Sequence, residues 1–230
     1  MESVDTTDLK SVSIWSASSS LAEGTTLLDY FNMKIEFFHL FPTLVIAINN
    51  FISEEERLIL LKEINNLEHH DHGALDNNSK STFTPDNLLI DNLNDHVNLR
   101  RRIDLALNEY AQQYGIADLR LTNSWSNQQT IGSTLKGHRH PNSKVSGALY
   151  INVDENSSKL VFHNPNPYIY IDDFNNQTDT NYRAYWIQPE NCQLILFPSW
   201  LEHSSGDAIN NTENRTVISF NSAIINSDVI

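Results

Sequence analysis

The spacing of apolar positions changes near residue 117 and divides the chain into a helical part and a strand-forming part. Upstream, Thr43-Leu44-Val45-Ile46-Ala47-Ile48 is a short, β-branched apolar run that predicts a buried strand. Ser53-Glu54-Glu55-Glu56 then has the form of a capping box, in which the Ser hydroxyl and the third Glu satisfy free N–H groups of a first helical turn. Three acids in that turn suit the positive end of the helix dipole, and Leu60, Leu61, Ile64 and Leu67 supply an apolar stripe. A second helix is predicted from a cap at Asp95 to Tyr114. Leu99, Ile103, Ala106, Leu107, Tyr110 and Tyr114 recur at helical spacing, and Gly115 ends the pattern.

From Ala117 onward, short apolar or alternating segments are separated by turn residues. Leu119–Trp125, Val145–Val153, Leu160–His163, Ala184–Ile187, Gln193–Phe197 and Thr216–Ile225 read as strands. Strands clustered after two helices predict an antiparallel sandwich braced on one face by those helices, a mainly β fold. Residues 1–34 show weak periodicity and many small polar side chains. They read as a polar, loosely attached N-terminal extension to a domain over 35–230. Residues 69–91 and 164–183 read as loops, the second long enough to serve as a lid over which a substrate enters.

Composition narrows the function. The chain has 230 residues, 40% hydrophobic and 10% aromatic, which suffices for one substantial core. Twenty-nine acidic against fifteen basic side chains leave a formal charge of −14, so the electrostatic footprint of a nucleic-acid binder is missing. The single cysteine, Cys192, rules out an intrachain disulfide or a cysteine-ligated cluster and has no activating motif beside it. Met1 to Tyr30 lack a basic start and apolar run, and no stretch approaches about 20 apolar residues, so cytoplasmic residence without a membrane span is expected.

The candidate chemistry lies in three segments. In Gly137-His138-Arg139-His140-Pro141, an extended backbone projects residues two apart from one face, so two imidazoles would point together at a separation one metal ion bridges. Phe197-Pro198-Ser199-Trp200-Leu201-Glu202-His203 places a third histidine at the end of an apolar strand. Arg215 opens a last strand ending Ile218-Ser219-Phe220-Asn221. Imidazole donors suit Fe(II), Zn(II), Ni(II) and Cu(II) alike and do not choose among them. His69-His70-Asp71-His72 reads as a solvated loop after the first helix, and Arg100-Arg101-Arg102 as a salt-bridged helix face. Trp125, Trp186 and Trp200 read as core or rim packing, with Trp200, beside His203, the best placed of the three to touch a substrate.

With Ser146-Gly147-Ala148-Leu149-Tyr150-Ile151-Asn152, these segments carry a resemblance. From about Phe41 to Phe220 the chain resembles the 2-oxoglutarate- and Fe(II)-dependent oxygenase superfamily, in particular a prolyl-hydroxylase-like branch of uncharacterised phage and marine bacterial proteins. The resemblance implies a double-stranded β-helix (jelly roll) and a dioxygenase that hydroxylates a C–H bond using O2. The substrate would be a prolyl or other protein side chain, or a small molecule. It further implies His138 and His203 as ligands of Fe(II), Arg215 as the partner of the far carboxylate of 2-oxoglutarate, and Tyr150 as a second contact to that carboxylate. One position departs from the family: His140 stands where the superfamily places Asp or Glu. It is expected to ligate directly, giving three neutral imidazoles. The alternative is a supporting role, with Asp154 or water completing the set.

Two other readings stand beside this one. Gly132, five residues and His138-x-His140, followed by Pro198-x-Trp200-x-x-His203, imitate a cupin metal motif that would not use 2-oxoglutarate. Lys144 and Val145 stand where cupins carry a Glu. A non-catalytic jelly-roll binding or virion-associated protein would use the same histidines structurally.

Overall fold

The computed structural model describes residues 41–224 except 172, 177 and 179. The predicted extension over 1–34 lies outside the described residues.

Among the described residues, ten strands form two sheets. β1 is Ile46–Ile48, β2 His70–Asp71, β3 Lys80–Ser81, β4 Leu119–Gln129 and β5 Val145–Asn152. β6 is Leu160–His163, β7 Ala184–Ile187, β8 Leu194–Pro198, β9 His203–Ser204 and β10 Arg215–Ile224. The larger sheet runs β1-β8-β5-β10-β4-β3-β2 and the smaller β7-β6-β9, with every pairing antiparallel. Two α-helices among the described residues, α1 Glu54–Asn65 and α2 His96–Tyr114, supply the helical part. The architecture is a jelly roll braced by two helices.

The helix signals map onto atoms. Ser53 Oγ accepts from Glu56 N at 3.1 Å while Ser53 N donates to Glu56 Oε2 at 2.7 Å, closing the capping box. Gly115 ends α2 at φ 72°, a left-handed conformation that glycine adopts without Cβ strain. Asp95 occupies the N-cap of α2 without capping it, because its Oδ1 accepts from the Asn98 side chain at 2.8 Å instead. The triple arginine is an ion-paired face: Arg100 meets Asp91 and Asp104, and Arg102 meets Glu56.

Strand parity splits the apolar residues into two cores. Leu149, Ile151, Leu194, Leu196, Ile218 and Phe220 pack with the helices. Their alternates Ala148, Tyr150, Ile195, Phe197 and Val217 pack inward between the sheets with Leu160 and Phe162. A central strand buried on both faces loses its polar alternation, which is why the predicted Gln193–Phe197 strand is uninterruptedly apolar after Gln193.

The segment over 69–91 was expected as loop, yet it contains the β2–β3 hairpin and a short 3-10 turn at Leu89–Asn92. Its histidines make specific contacts, although His70 and Asp71 stay exposed. His69 Nε2 meets Ser126 Oγ at 2.9 Å, His70 Nε2 meets the Phe83 carbonyl at 2.8 Å, and His72 packs edge-on against Phe83.

Candidate functional site

The inner faces of β4 and β10 are in register, and this register orders the floor of a cavity of about 550 Å³. Arg215 lies opposite Gln129, Val217 opposite Asn127, Ser219 opposite Trp125 and Asn221 opposite Asn123. Six residues of strand separate Arg215 from Asn221, a track of about 20 Å at ~3.3 Å per residue.

The predicted His-x-His pair shares a face because residues 138–140 run antiparallel to residues 199–203. His138 and His203 exchange both backbone hydrogen bonds at 3.1 Å, and His140 N donates to the Ser199 carbonyl at 2.9 Å. This pairing delivers His203 to the other two: one ligating nitrogen from each of His138, His140 and His203 lies within 4.8 Å of the others.

Side-chain partners fix how the rings present themselves. His138 Nδ1 donates to the Lys136 carbonyl at 2.8 Å and His203 Nδ1 to the Leu201 carbonyl at 3.0 Å, which leaves Nε2 of each with a bare lone pair. Burial pushes all three imidazoles below their ordinary pKa, His140 to about 4 and His203 to about 3, with the neighbouring His138 adding to both shifts. The rings are therefore neutral near pH 7. His140 Nε2 and His203 Nε2 lie 3.2 Å apart. Converging nitrogens of this kind are satisfied by a shared cation, so the donor set fits a transition metal.

No carboxylate joins this cluster among the described residues. Asp154, the alternative third ligand, is occupied elsewhere: its carboxylate accepts from the Thr212 hydroxyl and from Asn156 N at 2.8 Å. Glu202 pairs with Arg139 at 2.7 Å.

Arg215, on the same cavity wall, is only 6% exposed. Its Nη1 donates to Gln129 Oε1, and its guanidinium carbon lies 5.5 Å from the centroid of the Tyr150 ring. Among the described residues its Nε has no hydrogen-bond partner and no acid pairs with it. Burial pushes the guanidinium pKa down and the Tyr150 phenol up. A buried cation with a spare donor fits an incoming carboxylate.

Of the tryptophans read as core or rim packing, Trp125 rather than Trp200 lines the cavity. Trp125, in phase with Gln129 on β4, faces inward at 5% exposure, and its ring lies 5.7 Å from that of His140. Trp200 is 46% exposed and does not line the cavity. The 164–183 segment also contributes no lining residue among those described. The β2–β3 hairpin and its flanks supply His72, Leu75, Phe83 and Pro85 instead. Parity along β4 could have identified Trp125, whereas nothing local marks the hairpin.

No curated protein sequence matches the chain. Among solved structures, a 2OG-Fe(II) oxygenase family oxidoreductase from Burkholderia pseudomallei has a similar fold (TM-score 0.54, 10% identity, covering 78% of this chain and 84% of that one). So does HygX from Streptomyces hygroscopicus with nickel, 2-oxoglutarate and hygromycin B bound (TM-score 0.54, 14% identity, 79% and 83%). The α-ketoglutarate-dependent epimerase SnoN from nogalamycin biosynthesis is a third (TM-score 0.57, 12% identity, 79% and 79%). Residues 123–221 match the family model described as putative 2OG-Fe(II) oxygenase. The matched segment carries the three histidines, Tyr150 and Arg215, and is similar to that family over less than half of the chain.

Proposed function

We propose that the chain is a 2-oxoglutarate- and Fe(II)-dependent dioxygenase that hydroxylates a C–H bond, with His138, His140 and His203 as the iron ligands. The observation that carries this reading is the buried Arg215, whose unpartnered Nε shares the cavity with three convergent imidazoles. A cupin that binds metal alone has no use for such a cation.

Bound iron, with 2-oxoglutarate and O2, supplies an oxidation in which the cosubstrate becomes succinate and CO2. The remaining tasks belong to the protein. Lys136 and Leu201 carbonyls hold the His138 and His203 tautomers with Nε2 free. Arg215 binds the far carboxylate of 2-oxoglutarate, with Tyr150 beside it as a second contact. Phe197, Val217, Ala148 and Leu160 form a dry wall around that end of the cavity, where the contact gains strength from low dielectric. Trp125 packs beside the His140 ring on the cavity wall.

The substrate in this reading is a small molecule or a protein side chain, prolyl included. No helix among the described residues is long and apolar enough to cross a membrane. Cytoplasmic residence is part of the same proposal.

Protein reconstituted with Fe(II) in air is expected to convert 2-oxoglutarate to succinate, slowly without substrate, and His203→Ala is expected to abolish this. Succinate formation that is independent of iron, or unchanged in His203→Ala, overturns the reading.

A further inference from the structure

The lining of the cavity departs from the charge of the chain. Twenty-nine of its residues are acidic and fifteen basic, yet among the described residues no Asp or Glu lines the cavity, while Lys159, stacked on Trp186, Arg139, paired with Glu202 behind the lining, and Arg215, the cosubstrate's partner, do. In the family pattern, the position of His140 would bring a carboxylate into this space. Here it brings a neutral ring, so a metal-loaded site is one unit more positive than the usual set.

The uncharged groups lean the same way. The Asn221 Oδ1 already accepts from Ser146 Oγ at 2.7 Å, leaving its N–H groups as the free valence at the far end of the floor. His72 Nδ1 accepts from Ala74 N at 3.3 Å, which leaves the ring proton on Nε2 as a donor. Phe83 and Trp125, edge-on at 5.0 Å, supply an apolar wall of the same cavity. A cation placed here would meet no lining carboxylate, whereas an anion would meet Lys159 and the free N–H groups of Asn221 and His72.

We infer that the substrate of this site is an anion: an apolar or aromatic body seated against Phe83 and Trp125, carrying a carboxylate or similar acidic group toward Asn221 and His72. This rests on the reading of the cavity as a metal- and 2-oxoglutarate-loaded active site.

The test uses full-length protein saturated with Ni(II) and 2-oxoglutarate, so that Arg215 is already engaged. Three probes of one shape are titrated by calorimetry: hydrocinnamate, its primary amide, and phenylpropylamine. The expected result is binding of hydrocinnamate about tenfold or more tighter than the amide, with the amine weakest and 2-oxoglutarate retained. Asn221→Asp, which keeps the acceptor for Ser146 and replaces the donor with a negative oxygen, is expected to reverse the order of acid and amine. Amide or amine binding as tightly as the acid, or an acid that does not bind to the loaded wild-type protein, overturns the inference. Failure of 2-oxoglutarate to stabilise the Ni(II) protein at the loading step instead overturns the underlying reading.

Discussion

Arg215→Met separates a cosubstrate anchor from a structural arginine, because the two roles predict opposite signs. The guanidinium is buried with Gln129 as its hydrogen-bonding partner and a bare Nε. Holding an uncompensated cation there costs several kcal/mol of desolvation. Replacing it with Met removes that cost, while orphaning Gln129 Oε1 returns about 1–2 kcal/mol. The ligand-free variant should therefore be unchanged or more stable by up to about 2 kcal/mol, a rise in Tm of roughly 2–4 °C per kcal/mol. Cosubstrate binding moves the other way. Loss of a buried charge-assisted contact worth about 3 kcal/mol weakens 2-oxoglutarate by roughly 100-fold. At 100 times the wild-type Kd, the ligand stabilises wild type by about 2.7 kcal/mol and the variant by only about 0.4 kcal/mol. Thermal unfolding of both proteins with Ni(II), with and without 2-oxoglutarate, reads both signs. A ligand-free variant destabilised by more than about 2 kcal/mol, or one that keeps the full ligand-induced shift, refutes the reasoning.

Two further predictions concern the scaffold. Asp76 accepts from Thr134 N at 2.5 Å and Thr134 Oγ1 at 2.7 Å, and Lys136 N donates to the Ala74 carbonyl at 3.0 Å, so the hairpin steadies the carbonyl that orients His138. Asp76→Ala is expected to weaken Ni(II) binding about tenfold in chelator competition while Asp76→Asn keeps most of the affinity; equal affinity in wild type and Asp76→Ala contradicts this. Glu56 is held down to about 2, first by its hydrogen bond to Arg102. A depressed carboxylate contributes stability that is present above its unfolded pKa and is lost as pH falls from about 4.5 toward 2. With both side chains about one-third exposed, we expect about 1 kcal/mol. Glu56→Gln should lose that much at neutral pH and flatten acid unfolding in this window.

Local signals made the helices and most strands legible. A capping box, a left-handed glycine and apolar spacing act within a few residues, so α1, α2, β4, β5 and β10 follow from short-range chemistry. The β2–β3 hairpin and β9 were not legible, because two-residue strands such as His70–Asp71 and His203–Ser204 carry no periodicity and exist through their partners. Within the site, the shared face of His138 and His140 follows from extended backbone. Their meeting with His203 depends on the pairing of residues 138–140 with 199–203. Gln129 shows the same limit: it becomes the partner of Arg215 only through the β4–β10 register, which no local pattern encodes. Trp200 was favoured for nearness in sequence to His203, but the turn after β8 points it outward, while strand parity points Trp125 inward.

The central claim is that three imidazoles hold one iron with 2-oxoglutarate beside Arg215. It is tested most directly by anaerobic titration of the Fe(II)-loaded protein with 2-oxoglutarate, followed by visible absorbance. A metal-to-ligand charge-transfer band that saturates at one equivalent in wild type, and is lost in His140→Ala at the same iron concentration, is the predicted result. A folded, iron-loaded wild type that shows no band at saturating 2-oxoglutarate contradicts the account.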